Sequence, residues 1–159
     1  MKNILIIGCG LLGSSLLRRI HKKKIAKKIF VYEKSKSNIS KIRKLKLPAK
    51  IVKTLKDGAI NSDLIIFCTP MSEYKKLILK LNKINLSNTL ITDIGSSKIE
   101  SSKIIKKFLR KDLNWIQSHP IAGSEVSGPE YGKEKIFFNK WCILIKDKYT
   151  KKNHLNVLN

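Results

Sequence analysis

The sequence is poor in acid. Only 11 aspartates and glutamates stand against 34 lysines and arginines, giving a formal net charge of +23 over 159 residues. An excess of this size can neutralise many phosphates and would ordinarily suggest a nucleic-acid partner. Aromatics, however, make up 7% of the chain, and the basic clusters are not interleaved with them. Lys22-Lys23-Lys24, Lys27-Lys28 and Lys106-Lys107 therefore predict solvated helix faces and ends. The abundance of lysine, isoleucine and asparagine has the look of an AT-rich genome's amino-acid usage. A general affinity for polyanions is expected, but no specific nucleic-acid partner. Cysteine is scarce too: Cys9, Cys68 and Cys142 each sit in an apolar run, with no CxxC spacing and no nearby histidine. That pattern excludes a disulfide framework and a thiolate metal site, and it predicts three buried, reduced thiols. Long hydrophobic runs are also missing. The first, Ile4 to Ile7, ends after four residues at glycines, too short for a signal-peptide core or a membrane span. A cytoplasmic protein without membrane association is expected.

What is present is a regular alternation, on a chain long enough for one ordinary domain. Apolar runs of strand length alternate with stretches of helical period, as in repeated βαβ units around a parallel sheet. The runs predict strands at Asn3–Ile7, Lys28–Tyr32, Lys50–Val52, Leu64–Cys68, Thr89–Thr92 and Asn114–Gln117. Helices are predicted between them at Leu11–Lys23, Asn38–Leu45, Leu55–Asn61, Ser72–Ile84 and Lys98–Leu109. In the last of these Ile99, Ile104, Ile105 and Phe108 recur at helical spacing. After Ser118 the texture turns to Gly, Ser, Glu and Pro until about Glu134, ahead of the apolar segment Trp141–Ile145. A stretch of that length without secondary structure is usually functional or disordered. The fold expected is α/β, a doubly wound and mostly parallel sheet over residues 1–145, followed by a polar tail, 146–159, that frays.

Gly8, Gly10 and Gly13 form G-x-G-x-x-G between the first strand and the first helix. In that context Gly8 permits a tight turn, Gly10 lets the backbone approach a pyrophosphate, and Gly13 allows close helix–strand packing, with the anion at the helix N-terminus beside Leu11 and Leu12. The arrangement is that of a Rossmann-type dinucleotide-binding unit. Its second strand ends at Glu33, 20 residues after Gly13, where a carboxylate can accept hydrogen bonds from both ribose hydroxyls, favouring NAD over NADP. The competing reading is a turn that merely packs and a solvated Glu33. Lys34 and Lys36 could also meet a 2′-phosphate, although a carboxylate facing that phosphate would repel it. Thr69 and Pro70, at the end of the fourth strand, either contact the cofactor and fix the turn or simply start the next helix.

The fifth strand runs into Asp93-Ile94-Gly95-Ser96-Ser97-Lys98, and the sixth into Ser118-His119-Pro120-Ile121-Ala122-Gly123-Ser124-Glu125 and then Ser127-Gly128-Pro129. Taken alone, Ser96 or Ser97 suits an N-cap, and a histidine before proline suits a cap or core position. Together with the glycine triplet, however, the His119–Glu125 segment and the Asp93–Lys98 segment resemble the prephenate/arogenate dehydrogenase family, in order from Gly8 to about Trp141. Val126 stands where bacterial relatives often carry a basic residue.

The resemblance implies NAD-dependent oxidative decarboxylation of prephenate to 4-hydroxyphenylpyruvate in tyrosine biosynthesis. It implies that His119 accepts the ring hydroxyl's hydrogen bond and takes its proton, that Ser96 binds the same hydroxyl or orients the ring, and that Glu125 shapes the polar pocket. Asp93, Thr69, Pro70 and the glycine turn would serve the cofactor, and no metal is implied. Relatives carry a further helical domain that supplies homodimer contacts and basic groups for the substrate carboxylates; the chain is expected to lack it. Three classes compete: this dehydrogenase or an arogenate-specific form of it, a related imine or β-hydroxyacid reductase, and an inactive NAD-binding remnant or interaction module.

Overall fold

The computed structural model describes residues 2–86 and 88–146 together with Leu155, Asn156 and Leu158. Most of the expected polar tail, including His154, lies outside the described residues. Seven strands, β1 (Asn3–Ile7), β2 (Lys28–Tyr32), β3 (Lys50–Ile51), β4 (Leu64–Phe67), β5 (Leu90–Asp93), β6 (Asn114–Pro120) and β7 (Cys142–Ile145), form one sheet in the order β3-β2-β1-β4-β5-β6-β7. The first six are parallel, and β7 returns antiparallel to β6. Five helices connect them: α1 (Leu11–Lys22), α2 (Lys36–Lys44), α3 (Leu55–Ala59), α4 (Tyr74–Leu81) and α5 (Lys98–Phe108). The strand order reverses between β1 and β4, so a crevice opens beyond their carboxyl ends, where ligands of open α/β sheets bind.

Alternating side chains divide the core between the two faces of the sheet. Leu5, Ile7, Phe67 and Ile91 pack with Tyr74, Leu77, Ile78 and Leu81 of α4. Ile4, Ile6, Val31 and Ile66 face Leu17 and Ile20 of α1 and Ile42 of α2. Helix starts differ in a way that matters for the site. The Ser35 hydroxyl accepts from the Asn38 N–H at α2, and Thr54 with Asp57 makes a capping box at α3. Gly10 begins α1 with no side-chain cap and no acidic residue in the first turn.

Four expectations need correction. The segment Trp141–Ile145 yields an edge strand, and His119 and Pro120 lie inside β6, paired with Ile143 and Cys142. Because β7 has a neighbour on one side only, Cys142 is exposed; Cys68, just past the end of β4, is half-buried, and of the three thiols Cys9 is fully buried. The Gly/Ser/Pro-rich stretch after β6 is tied down: a 3₁₀ turn at Pro129–Tyr131 docks against α1 and α2. There the Arg18 guanidinium donates to the Pro129 carbonyl at 3.2 Å, and the Lys133 N–H donates to Ser15 Oγ at 3.0 Å. The predicted helix Ser72–Ile84 is shorter, with a 3₁₀ turn at Met71–Glu73 leading into α4.

Candidate cofactor and active site

The glycine turn has the geometry its spacing predicts. Gly8 has φ of +85°, and a Cβ there would lie 2.7 Å from Thr69 Cγ2 and 2.9 Å from the Cys68 carbonyl oxygen. A Cβ on Gly13 would fall 2.2 Å from the Gly8 carbonyl oxygen, so α1 packs directly on the turn. Around the Cβ position of Gly10 there is nothing within 4 Å. A side chain would occupy the space over the uncapped amides of α1, which is where an anion is favoured. Leu11 and Leu12, half-buried, begin the helix beside it.

Next to this turn lies a cavity of about 230 Å³ lined by Gly8, Glu33, Lys34, Thr69, Pro70 and Glu73 among others. The Glu33 carboxylate is already well engaged. Its Oε2 accepts from the Cys9 N–H at 2.8 Å, and its Oε1 accepts from the N–H groups of Lys34 at 2.8 Å and Ser35 at 2.9 Å. The Asn38 amide reaches Oε2 at 3.4 Å, the longest of the four contacts. Burial, reinforced by this carboxylate, pushes the Cys9 thiol up to about 12. Pro70, with φ of −55° and ψ of 147°, introduces the 3₁₀ turn.

At the end of β5 the Asp93 side chain turns inward and is fully buried. Its carboxylate accepts from Lys98 Nζ at 2.5 Å, Tyr74 Oη at 3.1 Å, Trp115 Nε1 at 3.2 Å and the Gly95 N–H at 3.3 Å. Burial, followed by the neighbouring Asp93 charge, pushes the Tyr74 hydroxyl far above its ordinary range, so it remains a donor. Three of these donors converge on Oδ2 and one, Trp115, reaches Oδ1, so that Asp93 organises the β5–α5 turn. Ser97 takes the N-cap position of α5 without a side-chain cap, and Ser96 stands exposed just before it. Sequence reasoning passed over Ser118, whose hydroxyl donates to the Asp93 carbonyl at 2.6 Å and is reached by Thr92 Oγ1 at 3.3 Å, tying β6 to β5. A serine inside a buried strand was the available signal.

The register brings Ser96 and His119 to neighbouring strand ends, because Asp93 pairs with Gln117 and these residues follow three and two positions later. Glu125 is exposed in the loop beyond β6. Among the described residues two side-chain polar atoms are buried without a hydrogen-bond partner, Thr69 Oγ1 and His119 Nδ1. Buried polar groups are nearly always paired, so each such exception calls for an explanation. Both lie at carboxyl ends of strands, on the cofactor side of the sheet.

An uncapped glycine turn, an acidic residue at the end of β2 and unpaired polar atoms at the ends of β4 and β6 define a nucleotide-binding domain of the doubly wound class. The chain belongs to the family described as prephenate dehydrogenase, nucleotide-binding domain, whose model matches residues 16–159. That match begins inside α1, past the three glycines, so the turn is an additional observation. The cyclohexadienyl dehydrogenase of Zymomonas mobilis subsp. mobilis is 29% identical over 149 residues, 94% of this chain and 50% of that protein. The prephenate dehydrogenase of Lactococcus lactis subsp. cremoris is 33% identical over 150 residues, 92% of this chain and 42% of that protein. The crystal structure of prephenate dehydrogenase from Aquifex aeolicus superposes with a TM-score of 0.88 at 28% identity, over 99% of this chain and 56% of that one. The same enzyme in complex with hydroxyphenyl propionate and NAD+ gives 0.83 at 27% identity, over 99% and 55% of the respective chains. The chain thus spans about half the length of the relatives it matches. Among the described residues no helix is long and apolar enough to cross a membrane, and no cluster of His, Cys, Asp and Glu could hold a metal ion.

Proposed function

We propose that this domain binds NAD and forms the cofactor and catalytic half of a prephenate dehydrogenase. The observation that carries the reading is the pair of buried, unpartnered atoms, Thr69 Oγ1 and His119 Nδ1, near the carboxyl ends of β4 and β6. The open space at Gly10 over the uncapped α1 amides fits a pyrophosphate. A ribose hydroxyl would replace the weak Asn38 contact on Glu33 Oε2, while the remaining carboxylate bonds hold the turn in shape. NAD, when bound, supplies the two-electron oxidising power.

The chain's own residues manage a proton and an orientation. His119, neutral, accepts the hydrogen bond of the cyclohexadienol hydroxyl and takes its proton as the carbinol carbon is oxidised. Ser96, exposed on the adjacent turn, hydrogen-bonds the same hydroxyl and orients the ring. Glu125 shapes the polar side of the pocket. The substrate's ring carboxylate departs as CO2, and aromatisation supplies most of the driving force, so the protein's contribution is mainly placement. Prephenate-dependent NADH formation by protein containing this domain, measured beside the His119→Asn variant, tests the reading. Equal rates from the two would overturn it.

A further inference from the structure

The end of β2 places two lysines, Lys34 and Lys36, where either could meet a phosphate on the adenosine ribose, and the fold separates them. Lys34 lines the cavity beside the glycine turn, whereas Lys36 starts α2 and is not part of that lining. Lys34 is already committed. Its ammonium is paired with the Glu73 carboxylate, which comes from the 3₁₀ turn after β4 and lines the same cavity. The two residues are 39 positions apart in the chain.

We propose that Glu73 is a selectivity residue for the dinucleotide: by pairing Lys34 and adding a second carboxylate beside Glu33, it excludes a ribose 2′-phosphate from the cavity. The inference rests on the dinucleotide-binding reading above. It adds a residue from a different loop to the choice usually assigned to the end of β2.

The charge balance supports it. Two carboxylates and one ammonium line this part of the cavity, leaving it net negative. A 2′-phosphate would bring roughly −1.5 to −2 more at neutral pH. Its sole cationic partner in the lining would be Lys34, and taking it would strip Glu73 of its counter-charge. The lysine's hydrogen bond and charge hold the Glu73 carboxyl below its usual range, so it is ionised wherever the protein functions. The pair is more than a third exposed on both sides, so it adds little to folding stability. Its main electrostatic consequence is therefore for what enters the cavity. Like-charge exclusion of this kind is how a site rejects a ligand it could otherwise hold.

Calorimetric titration of NAD+ and NADP+ into the full chain, Glu73→Gln, Lys34→Ala and the double variant tests the proposal, with NAD+ affinity as each protein's own reference. Removing the Glu73 charge should shift the affinity ratio about tenfold toward NADP+, the scale of one close charge interaction. The gain should vanish when Lys34 is also removed, and it should shrink with added salt. A ratio that stays within threefold of the unmodified protein's in Glu73→Gln, while NAD+ still binds, overturns this inference alone. Failure of the unmodified chain to bind either dinucleotide overturns it together with the reading on which it rests.

Discussion

Lys98 Nζ stands 2.5 Å from Asp93 Oδ2, closing an ion pair across the β5–α5 turn in which the aspartate side chain is fully buried and the lysine side chain 14% exposed. Converting Asp93 to Asn preserves shape but leaves that ammonium without a counter-charge. Breaking a buried pair from one side costs about 3–5 kcal/mol. Chemical denaturation should record a loss of that order. Asp93→Asn combined with Lys98→Met should recover part of it, because no charge is then stranded. A single-variant loss below about 1 kcal/mol would mean that the other three donors suffice.

Much of this arrangement is legible in the sequence, for reasons particular residues make plain. Asn3–Ile7 and Lys28–Tyr32 are apolar runs bounded by glycine or lysine, and their strands begin and end where the runs do. Glycine spacing carries the turn because sterics leave few alternatives: a Cβ at Gly8 or Gly13 meets backbone. Cys142–Ile145 is four apolar residues, and nothing local distinguishes an antiparallel edge strand from a buried parallel one. That choice depends on where residues 121–141 lead the chain, and this follows from contacts as remote as Arg18 with Pro129. The inward turn of Asp93 is equally nonlocal, since Tyr74, Trp115 and Lys98 come from three elements. Thr69 was legible as a candidate because it follows a strand run and His119 because of the segment it begins; that each buries an unpaired atom was not.

Glu33 should matter to both folding and selectivity. Its carboxylate takes three short backbone N–H bonds that span the glycine turn and the start of α2. Charge-assisted bonds of this kind are stronger than neutral ones. Glu33→Ala is expected to lower stability by about 1–2 kcal/mol, allowing for partial exposure. It should also erode the preference for NAD over NADP measured by titration. Tighter NADP than NAD binding by the unmodified protein would overturn the role assigned to this residue.

The thiols predict an alkaline limit. Burial raises the Cys9 thiol from 9.0 to about 12, and it raises Cys68 in the same direction. A folded state that holds a proton more tightly than the unfolded chain is favoured fully below the unfolded value and loses that advantage as pH rises toward the folded one. Stability should therefore fall between about pH 9 and 12, and Cys9→Ala should flatten that slope in urea titrations at stepped pH. At neutral pH a thiol reagent should modify Cys142 first, since it alone is exposed. Its rate should climb with pH, because burial raises this thiol as well.

The role proposed for His119 separates chemistry from binding. His119 is the last residue but one of β6, its Nδ1 is unpaired, and it lies outside the cavity wall formed by Gly8, Glu33 and Thr69. Replacing it by Asn should lower turnover of an active enzyme by roughly a hundredfold or more, the scale of a positioned acid–base group. NAD affinity should change by less than about threefold. A large loss of NAD affinity with turnover preserved would place His119 in cofactor binding instead.

The charge of the proposed substrate leads to the last prediction. Prephenate carries two carboxylates, and burying a carboxylate requires a cationic or well-hydrogen-bonded partner. Three of the four arginines of this chain, Arg18, Arg43 and Arg110, are placed elsewhere. Arg18 is held by the carbonyls of Ser14 and Pro129, and Arg110 by Asp112, Asn82 and Ile84. Arg43 lies in the last turn of α2, and Arg19, on α1, lines a cavity of about 290 Å³ with Ile94, Ser118 and Pro120. Lys98, the nearest cation to Ser96 in sequence, is tied to Asp93. At the ends of β5 and β6, then, the guanidinium that shares a cavity with Ile94 and Pro120 comes from α1 and not from the strand-end loops. Trp141, Phe138 and Ile143 are 84%, 59% and 52% exposed, an apolar surface suited to a packing partner. The 159-residue chain should therefore bind NAD yet turn over prephenate at least about a hundredfold more slowly than a complete relative, a deficit typical of losing substrate positioning. Adding a helical-domain protein from such a relative should restore part of the rate. Full activity from the chain alone would show that the carboxylates are held within this domain, and the assignment of its cations to structural roles would then be wrong.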